Sequence, residues 1–167
     1  MIRRGFTMLE VLITSVVMVL LVLAAYPTLN TASKRQEQVA NVTILESCLI
    51  RGIATAKAPT VINTTTVKVK FSTSPIGCQV AEVDAAGGQT VIATFTVANP
   101  DRYTLQLTPA VTNNEYVISV RPPYHFIVPD PANWQLMIIG LRSVENPAAY
   151  NSTIFNLITG TIQSRSI

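Results

Sequence analysis

The chain has little charge, one histidine and two cysteines. Each shortage excludes something. Charged residues make up 13% of the 167 positions, too few for a solvated tail or a nucleic-acid-binding arm. With His125 as the sole histidine, a cluster of histidine and cysteine ligands for zinc cannot be assembled. No metal and no cofactor is expected. Cys48 and Cys78 suffice for one disulfide or for two buried thiols. Gly87-Gly88 is not followed by a Lys-Ser/Thr pair, so it reads as a turn and not as a phosphate loop. His125 has no nucleophile motif beside it, and no catalytic constellation is evident, so an enzyme is not expected. Glu82 and Asp84 could share one sheet face but lack further metal ligands.

What is present is concentrated at the N-terminus. Met1 to Gly5 is short and basic, through Arg3 and Arg4, and Phe6 to Leu29 is almost free of charge. Phe6 to Leu23 alone would make roughly 27 Å of helix, near the thickness of the hydrocarbon layer of a membrane. The two arginines should stay cytoplasmic, which places the bulk of the chain on the far side. They also supply two of the net charges of +3, so their removal would leave +1. A secretory signal cut near Ala24-Ala25-Tyr26 is the competing reading. Glu10 argues against a simple signal or anchor. It interrupts the apolar block, and an ionised carboxylate in hydrocarbon is costly unless paired or close to the headgroups.

Gly5-Phe6-Thr7-Met8-Leu9-Glu10-Val11-Leu12-Ile13 resembles the class III signal of type IV prepilins and pseudopilins. The resemblance implies a leader, residues 1–5, removed by a prepilin peptidase that cuts between Gly5 and Phe6 and methylates the new terminus at Phe6. It implies that Glu10, the fifth residue of the mature chain, is the assembly carboxylate, paired with the Phe6 ammonium of a neighbouring subunit. Residues 6–27 would then span the membrane before assembly and line the filament core after it. Residues 28–167 would form a periplasmic or extracellular head. Pro27 falls where many pilins carry a proline that perturbs the helix, or it ends the membrane span. The partners implied are the peptidase, copies of the chain and other pilins, the inner-membrane assembly machinery and lipid. Nucleic acid enters only indirectly, through DNA uptake. The location implied is the bacterial inner membrane first, then a surface pilus or a periplasmic pseudopilus. A type IV pilus subunit, major or minor, is the leading reading. A type II secretion pseudopilin shares every feature, and an uncleaved single-pass anchored binding or enzymatic domain is the reading from another class.

The rest predicts a pilin-like α+β fold: a long N-terminal helix whose C-terminal half packs on an antiparallel sheet. Val39, Val42, Leu45, Leu49, Ile53 and Ala56 recur at helical spacing, and Pro59 stops the helix after Lys57. Ile44, Leu45, Leu49 and Ile53 are expected to be buried. Strands are expected at 65–71, 77–83, 89–97, 103–107, 115–120, 134–141 and 154–162, separated by Pro/Asn/Asp/Gly clusters. The late cysteine pair usual in pilins is missing, which leaves the subclass open. The sequons at Asn41, Asn63 and Asn151 are expected by chance in a chain so rich in Thr and Asn. Low charge with abundant Thr, Asn and Gln suits a surface that packs against copies of itself or carries O-linked sugar.

Overall fold

The computed structural model describes residues 7–108, 112–120, 126–127, 136–156 and 162–166. Among the described residues its elements are a helix, α1 (Met8–Lys57), nine strands and two short 3-10 turns, Pro100–Arg102 and Thr112–Asn114. In chain order the strands are β1 (Thr64–Thr73), β2 (Ile76–Asp84), β3 (Gln89–Thr96), β4 (Tyr103–Thr108), β5 (Glu115–Ser119), β6 (Phe126–Ile127), β7 (Leu136–Ser143), β8 (Tyr150–Asn156) and β9 (Ile162–Ser166). The α+β class expected from the sequence is what forms. The chain divides into two units, Met1–Glu37 and Gln38–Ile167, and α1 contributes to both.

In the first unit every described residue up to Gln36 is exposed. The large apolar side chains from Met8 to Leu29 are exposed. This part of α1 is long and apolar enough to cross a membrane.

The second unit is built around the other end of α1. Its buried positions are Gln38, Asn41, Val42, Leu45, Cys48, Leu49, Gly52, Thr55 and Ala56, each with another buried position three or four residues away, which places them on one stripe. The strands divide into two antiparallel sheets rather than one. The first has the order β3-β2-β1-β5-β6 and the second β4-β7-β8-β9. Alternation decides which side chains turn inward. Val67, Val69 and Phe71 of β1 are buried, while Lys68 and Lys70 point outward to Glu115 at 3.6 and 3.3 Å. Met137, Ile139 and Leu141 of β7, with Phe155 of β8, bring the second sheet into the same core. Gly52 permits close approach of helix and sheet, since a Cβ there would lie 2.5 Å from Val69 Cγ2.

Several expectations need correction. Leu45 and Leu49 are buried as expected, but Ile44 and Ile53 are only half-buried and Val39 is 49% exposed. The inward stripe is rotated toward two amides. Gln38 donates through Nε2 to the carbonyls of Leu141 (2.7 Å) and Ala149 (3.2 Å). Asn41 and Ala98 exchange two bonds of 3.0 Å. These amides bond main-chain groups at or beside strand ends, and the Ala149 carbonyl accepts from the Ser143 amide as well, at 3.2 Å. Residues 154–162 are not one strand. β8 starts earlier, at Tyr150, and pairs with β9 so that Phe155 faces Ile162, with 157–161 outside the described residues. Asn156 and Gly160 are turn formers inside that apolar run. β7 likewise runs on to Ser143, and Trp134 lies outside the described residues, as does His125. Gly87 adopts φ 86° in the β2–β3 turn, a conformation suited to glycine.

Cys48 of α1 is bonded to Cys78 of β2, closing a separation of 30 residues. In the chain-entropy account a loop of that length contributes about 3–4 kcal/mol. The Cys48→Ser, Cys78→Ser double variant is therefore expected to lose about 3–4 kcal/mol of unfolding free energy, with a lower denaturant midpoint and a somewhat larger m-value because the unfolded chain is no longer cross-linked, in chemical denaturation followed by circular dichroism.

Candidate processing and assembly site

The first turn of α1 carries a pattern that sequence reading passed over. Thr7 is the residue ahead of the helix and Glu10 is its third residue, the Thr-x-x-Glu spacing of a capping box. Both bonds of that arrangement form, and the two side chains add a third. The Glu10 amide donates to Thr7 Oγ1 at 3.3 Å. The Thr7 amide and the Thr7 hydroxyl both donate to Glu10 Oε2, at 3.1 and 3.2 Å. Free amides at a helix start carry partial positive charge, so a carboxylate is favoured there. Gly5 and Phe6, the expected cleavage and methylation positions, lie outside the described residues.

Beyond Glu10, polar side chains in the apolar segment are turned back onto the helix. Thr14 Oγ1 donates to the Glu10 carbonyl at 2.8 Å, and Ser15 Oγ donates to the Leu12 carbonyl at 2.8 Å. A hydroxyl satisfied in this way can lie in hydrocarbon. α1 is helix on both sides of Pro27, from Met8 to Lys57. Proline takes one donor out of the ladder. Thr28 and Thr31 add hydroxyl bonds to the carbonyls of Ala25 (2.7 Å) and Pro27 (2.9 Å) alongside it.

Residues 1–26 match the family model of the prokaryotic N-terminal methylation motif. That motif is the class III signal peptide of type IV pilins, and it supports a precursor of pilin or pseudopilin type. A signal of this kind implies processing by prepilin peptidase, and with the apolar helix it fits membrane anchoring before assembly. Neither the curated proteins nor the solved structures compared with the chain include a match. The motif covers the first turn, Glu10 and the apolar run, and leaves the second unit to be read from its own structure.

In that unit, the two acidic residues weighed as a metal pair serve separate local structures. Asp84 Oδ1 accepts from the amides of Ala86 and Gly88, both at 2.8 Å, inside the β2–β3 turn. Glu82 is 1% exposed. It accepts from the Thr60 amide and hydroxyl (2.8 Å each), the Val61 amide (2.7 Å) and the Thr64 hydroxyl (2.8 Å). One carboxylate thus ties the segment between α1 and β1 to the sheet. Among the described residues, no group of three or more His, Cys, Asp or Glu side chains could hold a metal ion. Of the three sequons, Asn41 and Asn151 are buried and only Asn63 is exposed.

Burial raises the Glu82 pKa, but the bonds from Thr60, Val61 and Thr64 lower it further, and the group lies below its ordinary value of 4.5. A lowered folded-state pKa stabilises the fold fully above the ordinary value, and that stabilisation is lost as pH falls through the folded one. Glu82→Gln is expected to cost about 2 kcal/mol at neutral pH, the scale of lost hydrogen bonds to a charged group. Denaturant titrations across the acidic range should show a shallower loss of stability in the variant than in the parent.

Proposed function

We propose that the protein is a structural subunit of a type IV pilus. It is cut after Gly5, methylated at Phe6 and assembled through the apolar half of α1. The observation that carries this reading is a single carboxylate, Glu10, at the start of a helix segment whose apolar surface is uncovered from Met8 to Leu29. Cleavage would create an ammonium at Phe6, one helical turn from Glu10. A charge in an apolar surrounding calls for an opposite charge. Pairing the Glu10 carboxylate with the Phe6 ammonium of the next subunit satisfies both and sets the axial register. Burial of the apolar helix faces among copies removes them from lipid or water.

The partners of this reading are prepilin peptidase, further copies of the chain and other pilins, the inner-membrane assembly machinery and lipid. The cleaved leader stays on the cytoplasmic side, and the second unit becomes the filament surface. Disulfide formation between Cys48 and Cys78 suits an exported domain in an oxidising compartment.

Glu10→Leu is expected to leave the protein processed and membrane-inserted but absent from sheared filaments. Its normal incorporation would refute the pairing. Gly5→Ala should still be cut because the side chain stays small, whereas Gly5→Leu should accumulate as uncut precursor on a mass spectrum. Full cleavage of Gly5→Leu would move the processing site elsewhere.

A further inference from the structure

The capping box uses only one oxygen of the Glu10 carboxylate. Both Thr7 bonds end on Oε2. Among the described residues, Oε1 accepts nothing. We propose that Thr7 is a positioning residue for assembly, which divides the Glu10 carboxylate between two duties. Oε2 is held within the subunit by the Thr7 amide and hydroxyl, and Oε1 is presented to the Phe6 ammonium of the neighbouring copy. The inference rests on the pairing proposed above and adds to it the group that aims the carboxylate.

The physical case has three parts. An unrestrained glutamate loses much rotamer freedom when fixed in an ion pair, so a side chain already locked pairs at lower entropic cost. The lock comes from the same helix turn, and it bonds one face of the carboxylate before any partner arrives. That lowers, without removing, the cost of holding the lone subunit's acid near an apolar setting until the cation arrives. The lock also survives processing, because a cut between Gly5 and Phe6 leaves the Thr7 amide and hydroxyl in place. A two-oxygen acceptor can hold the cap and the incoming cation together, so assembly needs no exchange of partners.

The two duties separate by substitution. Thr7→Val keeps the shape and the main-chain amide but removes the hydroxyl. Thr7→Ser restores it. Glu10→Gln can still complete a capping box, since glutamine serves at that position, but it carries no charge for the ammonium. Filament yield per membrane-inserted, processed subunit is expected to match the parent in Thr7→Ser. In Thr7→Val it should fall about fivefold, the factor that one lost helix cap represents. Glu10→Gln should yield no filaments. Amide hydrogen exchange on the full chain in detergent micelles gives a readout independent of assembly. The Glu10 amide should exchange faster in Thr7→Val and at the parental rate in Thr7→Ser. Measuring exchange on the uncut chain as well keeps the question decided if Thr7→Val is processed poorly.

Parental filament yield in Thr7→Val, or an unchanged Glu10 amide exchange rate in it, overturns the role of Thr7. If Glu10→Gln remains filament-dead at the same time, the pairing itself stands and only the positioning role falls. Normal filaments from Glu10→Gln would overturn the pairing, and this inference with it.

Discussion

A carboxylate at the start of an uncovered apolar helix is the constraint on which the account turns. Glu10 has exposed Leu9 and Val11 beside it, and no cation among the described residues answers it. In water such a residue needs no explanation. In hydrocarbon it must be satisfied, and among the described residues Thr7 is the one seen to do so. The helix has the same incompleteness on a larger scale. From Met8 to Leu29 its large apolar side chains are exposed, and membrane lipid or other copies of the helix can cover them. A membrane span and a filament core are two coverings for one surface, which is why a single segment can serve in both.

The second unit solves a different problem, that of fixing the end of a long helix to two sheets. Hydrophobic burial through Val42, Leu45 and Leu49 brings them together, but it is not directional. Direction comes from polar and covalent contacts spread along the stripe. Gln38 reaches the end of β7, Asn41 reaches the connection between β3 and β4, Cys48 is bonded to β2, and Glu82 holds the segment after Lys57. These contacts resist sliding of the helix along the sheets, since displacement by one turn would strand buried polar groups.

The order of elements was legible because periodicity survives without tertiary knowledge. Val67, Val69 and Phe71 alternate with Lys68 and Lys70, and the strand there follows within a residue or two of its expected ends. The motif residues Gly5, Phe6 and Glu10 were legible as a combination, and the match over residues 1–26 rests on the same stretch. The division into two sheets was hidden, because strand sequences do not state their neighbours. The buried face of α1 also takes in Gln38 and Asn41, which apolar periodicity does not mark. Amides read as surface until the carbonyls they serve are in place. Glu82 was hidden for the same reason, since its donors come from Thr60, Val61 and Thr64, about twenty residues earlier. Thr7 could have been found. Its spacing to Glu10 is a helix-start signal, but the apolar run and the cleavage pattern drew the eye past it.

The central claim is that the first five residues are a leader and that Phe6 becomes the methylated end of the working subunit. Intact mass and N-terminal sequencing of the protein from its native membrane fraction test it most directly. The account predicts a chain that begins at N-methylated Phe6. A chain that still begins at Met1, or one that starts near Tyr26, would contradict it.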